Sequence, residues 1–256
     1  GLQALTDGQS YTMTANVSDA AGNAASEVTS SAFTVNSSLP TIAAIETSAF
    51  SWGSVLNATE DNANGTVTVT TTGVDDGQTL TIVLNGANYT GSVSSNSVTV
   101  TITDTGLQAL DDGQSYTMTA NVSDADGNAA AEVTSSSFSV DTTIPSVLLV
   151  SSNVANSSYV AGDIIPIYVL FSDNVTVSGT PQLTLETGSS DAVVDYSSGS
   201  GGSFITFSYT VSSGQNSSDL DYVSTSSLAL NGGSIVDSGG NNVTLTLPSP
   251  GSSGSL

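Results

Sequence analysis

The chain has 256 residues, of which 23 are acidic and none is lysine, arginine, histidine or cysteine, so its formal charge is −23. Composition alone excludes side-chain salt bridges, disulfides, Schiff bases, His- or Cys-centred catalysis and zinc or haem ligation. No side chain can neutralise a phosphate, which removes nucleic acid and anionic membrane surfaces from the expected partners.

Residues 1–40 and 106–145 are nearly the same sequence, offset by 105 residues without a gap. A repeat of about 100 residues is the size of one β-sandwich domain, not of a solenoid turn. Residues 1–38 read as the last two strands of a truncated unit, closed by the joint Asn36-Ser37-Ser38-Leu39-Pro40. Residues 39–143 read as one whole unit. Its strands at 66–70, 79–84, 97–102 and 116–122 alternate with period two and are rich in Val, Ile and Thr. Turn signals separate them: Asp75-Asp76-Gly77, Asn85-Gly86, Asp111-Asp112-Gly113 and the run 124–128. Only 107–110 reads as a turn of helix. A second joint, Asp141-Thr142-Thr143-Ile144-Pro145, follows; proline and the restraint it places on the preceding residue make both joints semi-rigid.

Residues 144–256 read as a third unit of a different subtype, with strands at 182–186, 192–196, 204–211 and 242–247. The most apolar run, 164–171, is far too short to span a bilayer. The tail 248–256 reads as turns, and the unit is expected to lack its last strand. Any targeting or anchoring signal is expected outside this segment. The predicted fold class is therefore all-β: tandem sandwich domains which, joined by short links, form an extended rod.

A charge of −23 with no counter-charge repels itself, and carboxylates closer than a Debye length need a cation, protonation or separation. The hard, oxygen-seeking cation outside cells is Ca²⁺. Asp-x-x-Gly-Asn occurs at 19–23, 124–128 and 237–241. Its bland reading is a turn in which Asp accepts backbone N–H groups, Gly takes positive φ and Asn tolerates it. The second copy adds Asp126 where the first has Ala21, so the turn itself does not need Asp126. Asp124, Asp126 and Asp141, with Asp75 and Asp76, are candidate ligands of a Ca²⁺ site that stiffens a joint; Asn36 stands in the place of Asp141 at the first joint. Glu60 and Asp61 mark a second acidic loop, and Asp163, Asp173, Asp219, Asp221 and Asp237 are candidates in the third unit.

Asp112-Gly113-Gln114-Ser115-Tyr116-Thr117-Met118, repeated from Asp7 to Met13, resembles the tyrosine corner of immunoglobulin-like domains, with Met in the place of the core cysteine. Together with 70–78, Asn85-Gly86, 107–116, 124–128 and 140–145, it makes residues 1–145 similar to the bacterial immunoglobulin-like repeats of very large adhesins and biofilm-associated surface proteins. The third unit resembles another repeat type found beside these, through 159–163, 179–188 and 228–233. The resemblance implies immunoglobulin-like sandwiches, an extracellular place on a bacterial surface and neighbouring repeats of the same chain as partners; the missing residue types that most often act as bases and nucleophiles argue against an enzyme. The resemblance implies a structural role: an adhesin stalk or surface fibre stiffened by Ca²⁺ at its joints. Two alternatives stand beside it: a subunit of a self-assembling filament that contacts identical subunits, and a module that binds glycan or a host-surface protein. Trp52, the single tryptophan, reads as core packing and not as a glycan platform.

Overall fold

The computed structural model describes residues 5–256, so the first four residues of the 1–38 segment lie outside the described residues. Among the described residues no helix is long and apolar enough to cross a membrane. The chain divides into two compact units. The first comprises Gly1–Ser54, Asn64–Gly106 and Tyr116–Phe138; the second comprises Val55–Ala63, Leu107–Ser115 and Ser139–Leu256.

In the first unit, period-two alternation gives two sheets with one buried face each, as an immunoglobulin-like sandwich requires. One sheet has the order Ser97–Ile102, Gly65–Thr72, Thr41–Ile42. It buries Val67, Val69, Val98, Val100 and Ile102 and leaves the intervening threonines outside. The other has the order Val133–Thr134, Met118–Asn121, Thr79–Leu84, Ala87–Ser92. It buries Leu80, Ile82, Leu84, Met118 and Ala120. Asn85 and Gly86, at φ 48° and 78°, join its last two strands in the primed turn that Asn-Gly predicts. The core also holds an aromatic cluster: Phe50 stacks on Trp52, and Phe138 meets both edge-on with centroids 5.7 and 5.4 Å away. Trp52 is therefore core, as its position in the sequence suggested.

The repeated half folds alike but is buried differently. Residues 5–38 form four short strand segments, Ser10–Tyr11 with Phe33–Thr34 and Thr14–Ala15 with Val28–Thr29. Met118 is fully buried because Met118–Asn121 pairs with Thr79–Leu84; its counterpart Met13 is 61% exposed. Met118 thus pins the core of the whole unit, as expected.

The second unit is built on the strands Val147–Ser152, Ile164–Ser178, Gly202–Thr210, Ala192–Ser198, Gln182–Glu186 and Asp221–Tyr222, in that order across the sheet. The apolar run at 164–171 is the first half of a 15-residue strand, which changes register between Leu170 and Val175 and then pairs with Ser234–Val236. Alternation alone did not reveal this strand, because Tyr168 and Leu170 on its outer face are half-buried and Tyr168 packs against Phe204. The strand read at 242–247 is reduced to isolated bridges at Asn242 and Thr244. The tail is tied down: Tyr222 Oη donates to the Pro248 carbonyl, Gly251 N to Asp221, and Val150 N to the Gly254 carbonyl. Burial, reinforced by the Asp221 charge, pushes the Tyr222 hydroxyl up to about 12. Also in this unit, Val55–Asn57 runs parallel to Ser139–Asp141.

Candidate functional site: two carboxylate-clamped links

The Asp-x-x-Gly-Asn turns fold as closed cages. In the second copy Asp124 Oδ1 accepts the N–H groups of Asp126 and Asn128, and Oδ2 accepts the Asn128 side-chain amide at 2.8 Å. Gly127, at φ 90°, closes the turn. Asp19 is bonded in the same way by Ala21 and Asn23, and Asp237 by both the backbone and the side chain of Asn241. The turn reading made from sequence is thus what the geometry shows. The amide of Asn128 holds the Asp124 carboxyl below the ordinary carboxylate range, and that of Asn23 does the same for Asp19.

Two of the three cages also reach a link. Asn128 Nδ2 donates to the backbone carbonyl of Asn36, and Asn241 Nδ2 to that of Asp141. The same link is gripped from the other side by a second carboxylate. Asp7 accepts the backbone N–H of Ser37 at 2.6 Å and the hydroxyls of Ser37 and Ser38. Asp112 accepts the Thr142 N–H at 2.7 Å and the hydroxyls of Thr142 and Thr143. The Thr143 hydroxyl, more than the Thr142 N–H, depresses the Asp112 pKa; for Asp7 the Ser38 hydroxyl does most. The first link and its clamps lie wholly in the first compact unit, and the second link and its clamps wholly in the second.

The candidate metal ligands from sequence sort into these places. Asp124 and Asp126 converge on Asn36, whose Nδ2 donates to Asp126 at 2.7 Å and to Asp124 at 3.4 Å. Asp75 joins them by accepting the Ala125 N–H, whereas Asp76 turns to the Ser95 N–H on a neighbouring hairpin. Asp141 stands in a second group, lining a shallow cleft with Asp112, Asp173 and Gly239. Burial first, and then the charges of Asp237, Asp112 and Asp173, raise its pKa. Glu60 accepts the Asn57 N–H and Asp61 the Asn62 amide; burial raises Asp61. This loop meets the third cage, because Ala58 N donates to Asn241 Oδ1 at 2.7 Å. Among the described residues, no three carboxylates stand close enough together to hold a metal ion as they are placed.

The two kinds of carboxylate respond to pH with opposite sign. Asp7, Asp19, Asp112 and Asp124, depressed by hydrogen bonds, stabilise the fold above the ordinary carboxylate range, and that stabilisation is lost as pH falls through their lowered values. Asp141 is raised, so its ionisation opposes folding at neutral pH and protonation relieves it. Sequence reasoning missed Asp7, Asp112, Asn128 and Asn241 as link-holding residues. The signal was present: the hydroxyl pair at 37–38 recurs at 142–143, at the same offset that relates Asp7 to Asp112.

No family model and no curated protein matches the chain. Solved structures similar to it include one concerned with host cell surface retention of a 1.5-MDa bacterial ice-binding adhesin. It is 20% identical over 94% of this chain and 73% of that chain, with a TM-score of 0.49. Another is a Ca²⁺-stabilised adhesin with which an Antarctic bacterium binds ice, 24% identical over 79% of this chain and 56% of that chain, TM-score 0.41. A bacterial immunoglobulin-like domain from the M. primoryensis ice-binding adhesin is 29% identical over 40% of this chain and 96% of that chain, TM-score 0.29.

Proposed function

We propose that this chain is a run of non-catalytic spacer repeats from an extracellular bacterial surface protein, an adhesin stalk or fibre, divided at residues 1–38, 39–143 and 144–256. The observation that carries this reading is the repeated clamp. Each link has its backbone held on one side by an Asp carboxylate, the Asp and the link recurring at the same 105-residue offset, and on the other by the Asn of the cage that follows. A link fixed at both faces passes direction and load from one repeat to the next, which a stalk needs and a free tether does not. Its partners are the neighbouring repeats of the same chain; glycan or host-surface contact is left to other domains.

Ca²⁺ is the proposed cofactor of the second link. Asp112, Asp141, Asp173 and Asp237 supply only oxygen donors and leave an uncompensated charge there, which suits a hard cation. As placed they do not yet enclose one, so binding requires the carboxylates to draw together. The test is thermal unfolding of the whole chain, followed by circular dichroism, in Ca²⁺ and in EGTA at matched ionic strength. A site saturated at about 100 times its Kd adds about 2.7 kcal/mol, a rise of several degrees for a chain of this size. Equal melting in the two buffers would remove Ca²⁺ from the account and leave the hydrogen-bonded clamps to fix the links.

A further inference from the structure

The two links solve one contact in opposite ways. Position 36 is Asn and its counterpart 141 is Asp; the third position of the cage that each faces is Asp126 in one case and Gly239 in the other. At the first link the Asn36 amide donates to the Asp126 carboxylate at 2.7 Å. At the second, the Asp141 side chain occupies the space that a third-position side chain would need. A Cβ at Gly239 would lie 2.5 Å from Asp141 Oδ2, 2.7 Å from Cγ and 2.8 Å from Cβ.

We infer that the link residue and the third cage residue form a matched pair that decides which repeat can follow which: an amide link accepts a carboxylate cage, and a carboxylate link accepts a glycine cage. The chemistry of the crossed pairs enforces the rule. Asp at 36 would bring two carboxylates to hydrogen-bond distance with no proton between them, and charge of one sign held together opposes ionisation of both. A side chain at 239 would collide with Asp141 before any hydrogen bond could form. Discrimination thus rests on a repulsive element as well as an attractive one, as specific interfaces require. This pairing goes beyond the stalk reading and does not depend on Ca²⁺. It makes the order of repeat subtypes a property written at the links, where a repeat placed after the wrong neighbour docks poorly.

The experiment is a set of variants of the whole chain, unfolded in EGTA so that no cation bridges carboxylates, with the fluorescence of the single tryptophan, Trp52, reporting on the first unit. Asn36→Ala removes the amide only; Asn36→Asp adds the repulsion and is expected to lower the melting midpoint further. Adding Asp126→Gly to Asn36→Asp recreates the second link's pair and is expected to recover more than half of that loss. In the wild-type background Asp126→Gly lowers the midpoint, because Asn36 loses its acceptor. The inference is overturned if Asn36→Asp behaves as Asn36→Ala and Asp126→Gly adds its own loss to each. Reciprocally, Gly239→Asp should lower the midpoint seen by circular dichroism, and Asp141→Gly, which removes the colliding atoms, should recover part of that loss. Asn36 and Asp126 are both exposed, so the first cycle reads out in folded protein whatever Gly239→Asp does.

Discussion

Phe138→Ala lowers the stability of the first unit by about 3–5 kcal/mol, the usual cost of truncating a buried aromatic. Phe138 is almost fully buried and sits edge-on to both Phe50 and Trp52, with the Tyr116 ring 6.2 Å away on another side. The cavity cannot collapse easily, because the Phe50 and Trp52 rings already stack on each other. With no cysteine or salt bridge to compensate, such a loss consumes much of the roughly 5–15 kcal/mol that holds a domain together. Urea unfolding followed by Trp52 fluorescence measures it directly, since that signal comes from the same cluster. A loss below about 1 kcal/mol, the level of an ordinary surface change, would show that the aromatic cluster does not anchor this sandwich.

Asn241→Ala is expected to cost the second unit about 3 kcal/mol, although it removes only a small polar side chain. Asn241 is 98% buried and serves four groups: its Nδ2 donates to Asp237 Oδ2, at 3.0 Å, and to the Asp141 carbonyl, its Oδ1 accepts from Ala58 N, and its backbone N–H donates to Asp237 Oδ1. Alanine keeps only the last. It takes one of two partners from the buried Asp237 carboxylate and takes these partners from the Asp141 carbonyl and the Ala58 N–H; a buried polar group left unpaired costs about 1–3 kcal/mol, with water relieving part of the sum. Asn128→Ala, at the more open first link, removes contacts to Asp124 and Asn36 only and should cost less. Circular-dichroism melts of the two variants side by side test the ordering; equal losses would contradict it.

The sequence made the all-β class and most of the strands legible because one face of each sheet is buried. Thr79–Leu84 and Ser97–Ile102 are found where alternation places them, and Asn85-Gly86 makes the turn that its dipeptide predicts. Alternation failed at Ile164–Ser178, where apolar residues on both faces erase the period, and at 242–247, where pattern was present but a continuous ladder partner was not.

The acidic residues were visible as candidates, but their grouping was not, since convergence at a link depends on segments about 90 to 100 residues apart in sequence. Asp124, Asp126 and Asp75 gather around Asn36, while Asp141 is gathered with Asp112, Asp173 and Asp237. Composition foretold that carboxylates must find partners without any basic side chain. It did not foretell that asparagine amides and threonine and serine hydroxyls would take that part.

The central claim is that the links are held and not free, and backbone ¹⁵N relaxation of the Ser37 and Thr142 amides tests it most directly. Both N–H groups donate to a clamping carboxylate, so the account predicts order parameters near those of the flanking strands, about 0.85. Values below about 0.6 at either amide would describe a flexible tether and contradict the account.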